Sequence, residues 1–528
     1  MSDYHIYWGE AHDNTYQFPE QNASFEEVCR RAATHLDFYA AAYYTSCADA
    51  FRTGGHPAEG KRGPDLILEH WKSPERLRRE WDEVQQVCAA QNAPGRFVTF
   101  PGYEWQGDGS GGDHNIFFRR EGHPVFRVDA LAELYDRLRG IQAVAIPHHT
   151  AYRPGRRGRD WSVFDERISP WCEIYSIHGC SETDEERIGL RQNPHMGPGM
   201  SAGTYRTALR MGLHLGAACS TDNWGDMPGH YGHGLMACLA PELTRDSLWE
   251  AFMARRVYGV TGDRIELDFT VNGTPMGSIL PPAGERRIRV QVRGSDAIDR
   301  IELLRNERVI ATHCHQGTWE APSSGSPAKW KLRVEAGWGP AADEIALPPR
   351  RWRGELTVEG GQMLGVEPSW ISPGQGQPVV RGNTVRFEMV SSGDTVGGRH
   401  QNAEVFEFTA EPLAELRLRL NGCERRGKVA EFARRSDVIW YRDECVQMLA
   451  EHADLPPGSP ERGDVYHHMA YKAKVHRAMP ERAYTAGLAV EDAEPFEREV
   501  YYRVRVEQRN GGRAWSSPIW VEPPAQGA

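Results

Sequence analysis

The chain has 528 residues, more than one ordinary domain needs, so two or three domains are expected. With Lys+Arg 62 against Asp+Glu 73, the net charge of −11 argues against a general nucleic-acid binder, whose surface would be basic. No stretch is long and apolar enough to span a bilayer, Met1-Ser2-Asp3-Tyr4-His5 lacks the start of a signal peptide, and the cysteines form no C-x-x-C pair. The expectation is a cytoplasmic protein with reduced thiols, acting on a small molecule without a membrane or nucleic-acid partner; the composition leaves the oligomeric state open.

Residues 1–264 alternate strand-like and helix-like segments. Ile6-Tyr7-Trp8-Gly9 runs into Glu10-Ala11-His12-Asp13-Asn14. Ser24-Phe25-Glu26-Glu27 has the form of a capping box opening a helix through Leu36. Ser73-Pro74-Glu75 starts a second helix, to about Asn92, with proline at its first position. Phe97-Val98-Thr99-Phe100 leads into Pro101-Gly102-Tyr103-Glu104. Asp129 is expected to cap a third helix through Arg139, and Thr244 a fourth through Arg256. Ala143-Val144-Ala145-Ile146 leads into Pro147-His148-His149, and Glu173-Ile174-Tyr175-Ser176-Ile177 into His178. Leu213 to Ala218 reads as a buried strand ending in Cys219-Ser220-Thr221-Asp222-Asn223-Trp224. Strands separated by helices imply crossover connections and a mainly parallel, barrel-like α/β domain.

After Arg264 the period becomes two. Ile288, Val290 and Val292 alternate with polar residues, as do Trp330, Leu332 and Val334, then Val385, Phe387 and Met389, then Leu416, Leu418 and Leu420. This predicts half-buried antiparallel strands in β-sandwich-like modules, one over 265–348 and one over 349–528, the latter interrupted by a helix over about 436–451.

Strand after strand delivers a histidine or carboxylate at its C-terminal end, which is how α/β barrels assemble sites on one rim. His12, Glu104, His114, His148, His149, His178 and Asp222 form the candidate constellation. Singly, each is more often a structural hydrogen-bonding residue. Together they call for a cation.

Gly9-Glu10-Ala11-His12-Asp13-Asn14-Thr15 resembles the G-D-L-H-x-H-T opening of the PHP (polymerase and histidinol phosphatase) superfamily, and Ser220-Thr221-Asp222-Asn223-Trp224 its closing S-D-x-H. Gly102-Tyr103-Glu104-Trp105, Gly112-Asp113-His114-Asn115-Ile116-Phe117-Phe118 and Ile174-Tyr175-Ser176-Ile177-His178-Gly179 resemble the PHP-like family DUF3604. The resemblance covers most of the chain and is densest before residue 275. It implies a distorted (β/α)7 barrel followed by β-sandwich-like accessory domains, with divalent metal at the C-terminal rim, manganese or zinc first and iron after them.

By that resemblance His12, Asn14, Glu104 and Asp222 hold one metal, Asn14 standing where the family has a second histidine. Glu104, His114 and His148 hold another. Glu20, the Ala42-Tyr43-Tyr44 strand end and Trp224 stand at the positions of a third metal's ligands, so one or two ions are expected. His149 and His178 are expected to carry protons or orient ligands. Tyr43 and Tyr44 are either phenols at the emptied corner, acting as general acid or substrate clamp with Trp224 as a pocket wall, or core rings. Arg153 and Arg156, in the run Arg153-Pro154-Gly155-Arg156-Arg157-Gly158-Arg159, either bind a substrate phosphate or carboxylate or belong to a solvated loop. His230 and His233 are candidates for the mouth of the site, and His467, His468 and His476 are read as structural.

The leading expectation is a metal-dependent hydrolase, by the superfamily's example a phosphoesterase. The alternatives are a metal-dependent lyase or carbohydrate-cleaving enzyme, or a degenerate barrel that binds without turnover.

Overall fold

The computed structural model describes residues 4–17, 23–46, 71–185, 189–190, 198–223, 228–315, 326–337, 350–367, 375–391, 402–452 and 471–524. In the first half the strands are β1 (His5–Glu10), β2 (Asn14–Thr15), β3 (Phe38–Ala40), β4 (Ala42–Tyr44), β5 (Val98–Phe100), β6 (Gly102–Trp105), β7 (His114–Phe118), β8 (Ala143–Pro147), β9 (Trp171–Ser176), β10 (Gly179–Cys180), β11 (Gly216–Cys219), β12 (Leu235–Ala240) and β13 (Val257–Val260). The helices between them are α1 (Phe25–Ala32), α2 (Pro74–Gln91), α3 (Leu131–Leu138), α4 (Tyr205–Arg210) and α5 (Arg245–Met253).

Parallel pairing joins β1 to β3, β3 to β5, β2 to β4, β4 to β6, and β9 to β11. A parallel bridge between Asp13 and Asn223 brings the end of the β11 segment beside the end of β1. The arrangement is mixed α/β, and a regular (β/α)7 alternation is not what these residues form. β6, β7 and β8 run antiparallel to one another, as do β1, β12 and β13. The turn after Trp105 is too short for the dozen-residue crossover that a parallel pair requires.

Helix caps follow the sequence at three of four places. Ser24 accepts from the Glu27 amide, Ser73 from Arg76 and Thr244 from Ser247. The third helix instead opens with Ala130 as its N-cap and no side-chain bond, so Asp129 does not cap it. α1 stops at Ala32, short of Leu36, because the residues after it close turn-type bonds such as Thr34 Oγ1 to the Arg31 carbonyl.

Beyond β13 the alternating pattern forms antiparallel strands. Arg286–Arg293 pairs with Glu266–Val271 and Thr485–Asp492. Ala328–Gly337 pairs with Asn402–Ala410, and Arg350–Glu359 lies between Thr384–Ser391 and Glu415–Leu420. These last two sheets share one core, with Trp330, Leu332 and Val334 facing Leu356, Val385 and Leu418. Around 436–451 the chain first adds a strand, Asp437–Trp440, paired with Lys472–Val475, and only then a helix, Arg442–His452; Val438 and Ile439 favour the extended form. The end of the chain returns to the first half, Arg513–Ser516 pairing with β13. There Glu182, fully buried, accepts from Arg503 Nη1, Arg505 Nε (2.5 Å) and Trp515 Nε1 (2.7 Å). Among the described residues no helix is long and apolar enough to cross a membrane.

Candidate metal centre

The strand registers decide which side chains meet. Tyr44 pairs with Glu104 and Tyr43 with Tyr103, so the period of two puts Tyr44 and Glu104 on one face and Tyr43 and Tyr103 on the other. Across β6 and β7, Glu104 lies opposite Asn115, and Trp105 opposite His114. His114 therefore faces away from Glu104. Its ring lies 5.8 Å from Trp105 and 6.2 Å from Tyr135, and its Nδ1 is 2.9 Å from the Gly112 carbonyl. It enters none of the metal-competent groups among the described residues, although its Nε2 is buried without a hydrogen-bond partner.

The remaining histidines and acids converge. His12 is held by its backbone: its carbonyl accepts from the Asp222 amide (2.7 Å) and Thr221 Oγ1 (3.1 Å), and its amide donates to Glu10 Oε1 (2.8 Å). His12 Nε2 lies 3.2 Å from Asp222 Oδ1 and 3.9 Å from Glu104 Oε2. His148 Nε2 is 3.8 Å from Glu104 Oε1, and His178 Nε2 is 3.2 Å from Asp222 Oδ2. The rings of His148 and His149 centre 4.4 Å apart, and those of His149 and His178 4.8 Å apart. Asn14 Nδ2 lies 3.4 Å from Asp222 Oδ1, and its Oδ1 is buried without a hydrogen-bond partner. An amide nitrogen has no lone pair to give a metal, so in this rotamer Asn14 positions Asp222.

Donor atoms of His12, Glu104 and His148 lie within 4.8 Å of one another, as do those of His149, His178 and Asp222, of Asp113, His148 and His149, and of His12, Glu173 and Asp222. These side chains are almost wholly buried, yet His12 Nε2, both ring nitrogens of His148 and Glu104 Oε2 have no hydrogen-bond partner. Buried polar atoms are ordinarily paired, and a convergent set of orphaned N and O donors is what a divalent cation satisfies. The residues present fit one.

Electrostatics keeps most of the histidines in the coordinating form. Burial drives His148, His149 and His178 well below the usual imidazole range, helped by His12 at His148, Arg157 at His149 and His149 at His178. Burial also pulls His12 down, but Asp222 and Glu173 outweigh it and hold that ring well above its ordinary value. Burial raises Asp222 well above a normal carboxyl, against the pull of His12. Neutral imidazole is the ligand form.

Three residues of this site adopt left-handed backbone: Asp222 (φ 50°), His149 (φ 34°) and Arg157 (φ 66°). Strain of this kind collects where the surrounding structure must aim a side chain.

The other sequence candidates divide. Tyr44 faces the site: its hydroxyl accepts from Gln106 Nε2 at 2.9 Å, and the same amide donates to Glu104 Oε1 at 2.8 Å. Burial, then Glu104, push the Tyr44 phenol above its usual range, so it stays protonated. Tyr43 is a core ring beneath Trp81, donating to Glu80 Oε2 at 2.9 Å, and is not positioned to touch a substrate. Arg153 and Arg156 are exposed, and the guanidinium that reaches the cluster is that of Arg157. Arg159 is buried against Trp161 and backbone carbonyls. Trp224 and Glu20 lie outside the described residues, as do His467 and His468. His230 and His233 are buried with rings 4.2 Å apart, and His476 Nε2 is 2.8 Å from Glu335 Oε2.

Sequence reasoning missed Glu173, whose Oε2 is 3.0 Å from His12 Nδ1, and Asp113, whose Oδ2 is 3.4 Å from His149 Nε2. A lone carboxylate inside the apolar run Trp171-Cys172-Glu173-Ile174 was the available signal for Glu173. Asp113 stands beside His114 in a stretch already singled out.

No family model matches the chain. It is 30% identical over 256 residues to an uncharacterised protein of Chlamydia pneumoniae, covering 44% of this chain and 40% of that protein. It is 28% identical over 312 residues to one of Chlamydia trachomatis, covering 54% and 49%. The chain thus spans half or less of the length of these curated relatives. Among solved structures, it is similar to a two-domain protein from Bacteroides vulgatus described as containing a predicted PHP-like metal-dependent phosphoesterase. That match has 10% identity and a TM-score of 0.31, over 58% of this chain and 80% of the other. A likeness this loose says nothing of the reaction.

Proposed function

We propose that this chain is a metal-dependent hydrolase of the PHP-like type, related to DUF3604, with a barrel-like site in residues 1–264 and a phosphoester of a small molecule as its substrate. The observation that carries the reading is the orphaned donor set of His12 Nε2, Glu104 Oε2 and the His148 ring, buried and convergent. His12, Glu104, His148 and Asp222 would hold the cation, with His178 joining Asp222 on its far side. A divalent ion bound there supplies Lewis acidity and a lowered pKa for water.

The chain's own residues do the rest. Glu173 on Nδ1 of His12 turns Nε2 toward Glu104 and Asp222. Tyr152, its hydroxyl 3.0 Å from His178 Nδ1, does the same for His178. His149, kept neutral by burial, is the proton acceptor for the attacking water, holding the proton between Nε2 and Asp113. The water oxygen adds to phosphorus as the ester P–O bond breaks, and the alcohol leaves with the proton that His149 took from the water.

The test is metal content and activity together. Asp222→Asn and His148→Ala should each lower metal stoichiometry and abolish hydrolysis in a phosphomonoester and phosphodiester screen that chelation also silences. Full metal content in both variants would refute the site. Metal-loaded wild type inert on every phosphoester would refute the phosphoesterase assignment and return attention to lyase or carbohydrate chemistry.

A further inference from the structure

The described cluster gathers Glu10, Glu104, Asp113, Glu173 and Asp222, and Arg157 is the arginine or lysine that comes within ion-pair distance of these acids. Its Nε donates to Asp113 Oδ2 at 2.6 Å, and its Nη2 pairs with that same oxygen and lies 3.7 Å from Glu104 Oε1. One edge of the guanidinium is thus fixed on a fully buried carboxylate. Among the described residues Nη1 has no hydrogen-bond partner, and the side chain keeps a quarter of its surface open.

The loop is built to turn this residue inward. The Arg157 amide donates to the Gly109 carbonyl at 2.7 Å, and its φ of 66° is unusual for a side chain of this size. Gly158 follows because a Cβ there would lie 1.9 Å from the Tyr152 carbonyl oxygen. The neighbouring Arg153 and Arg156 stay in solvent.

We propose that Arg157, oriented by Asp113, is the clamp that receives the non-bridging oxygens of a substrate phosphate group, making it the specificity residue of the site. A guanidinium with one edge anchored and the other free presents N–H donors in the geometry a tetrahedral oxyanion accepts. Its Nη2 lies 3.7 Å from Glu104 Oε1, itself 3.8 Å from His148 Nε2, so an anion held by this guanidinium would be near the candidate metal donors. The inference rests on the hydrolase reading above and deepens it.

The experiment is titration calorimetry of inorganic phosphate into the metal-loaded full chain, with metal content measured on the same samples. Arg157→Gln should weaken phosphate binding at least tenfold and Arg157→Lys by less, both with unchanged metal content. The Arg153→Ala/Arg156→Ala double variant should bind as wild type does. If Arg157→Gln does not fold, Asp113→Asn/Arg157→Gln, which removes both charges, supplies the same comparison. Phosphate binding within twofold of wild type in the glutamine variant would overturn the clamp. So would loss of metal along with phosphate, since Arg157 would then be supporting Glu104. A wild type that loads metal but binds no phosphate sinks the clamp alone. A wild type that takes no metal yet binds phosphate through Arg157 sinks the hydrolase reading and leaves the clamp standing.

Discussion

Glu173 Oε2 lies 3.0 Å from His12 Nδ1, with both side chains buried, and this contact fixes which ring nitrogen of His12 faces the other acids. A carboxylate on the far nitrogen of a ligating histidine sets its tautomer and raises its donor strength. Glu173→Leu should lower divalent-metal affinity by about 10–100-fold, the range typical of such supporting contacts. Glu173→Gln, whose amide oxygen still accepts from Nδ1–H, should lose less. Chelator competition gives the affinities, and nitrogen-15 NMR of the histidine ring gives the tautomer. Equal affinity in the leucine variant would remove Glu173 from the site.

Bonded to the Pro228-Gly229 turn that also bonds Glu10, His35 predicts an acid sensitivity of the fold. Burial drives its imidazole down to about 4, opposed by the Pro228 carbonyl 2.9 Å from Nε2. The folded value lies below the usual 6.5, so the fold prefers the neutral ring. Its contribution is complete above about pH 6.5 and is lost as pH falls toward 4, because the unfolded chain takes up a proton the folded one refuses. At pH 5 the loss is about 2 kcal/mol. Urea unfolding of wild type and His35→Gln from pH 7.5 to 4.5 should show a shallower pH dependence in the variant. Parallel profiles would mean that His35 is not protonated differently in the two states.

The buried Glu182 ties the segment following His178 to the returning strands Val500–Gln508 and Arg513–Ser516. Glu182→Gln leaves Arg503 with Glu307 alone and should destabilise the protein by about 3 kcal/mol, as removing one member of a buried ion pair does. Thermal unfolding at constant protein concentration is the measurement. A change below about 0.5 kcal/mol would show that Glu307 compensates fully.

Much of the site was legible because its residues stand at strand ends, where composition changes abruptly. His12, Glu104, His148 and Asp222 were singled out this way, and their donor atoms lie close together. What the sequence left undecided is a matter of faces. Whether Tyr43 or Tyr44 points inward depends on pairing with Tyr103 and Glu104, and a one-residue slip would exchange them. The face of His114 depends on the same kind of register, being set opposite Trp105. The Arg153–Arg159 run left a different question open. Its conformation depends on Gly109 and Gly158, far from anything periodic, so which guanidinium turns inward was not readable. In the fold, the connection after Trp105 is too short for a crossover, so β6 and β7 pair antiparallel within a domain expected to be mainly parallel.

The cluster should bind no more than two metal ions per chain. His12 Nδ1 is committed to Glu173 and His178 Nδ1 to Tyr152, leaving one nitrogen of each for coordination. Asp113 is already engaged by Arg157. With His149 kept for proton transfer, the described donors left are His12, His148, His178, Glu104 and Asp222, with one free oxygen each on Glu173 and Asp113, enough for two ions that share a bridging carboxylate and too few for a third at four-coordination. Tyr44 does not make up the deficit. Burial and Glu104 keep its phenol protonated, and a protonated phenol is a poor ligand. Mass spectrometry of metal in protein purified after loading with manganese or zinc should return one or two ions per chain, and Tyr44→Phe should leave that number unchanged. Three ions per chain, or a loss of metal in Tyr44→Phe, would place Tyr44 among the ligands and overturn this account of the donor set.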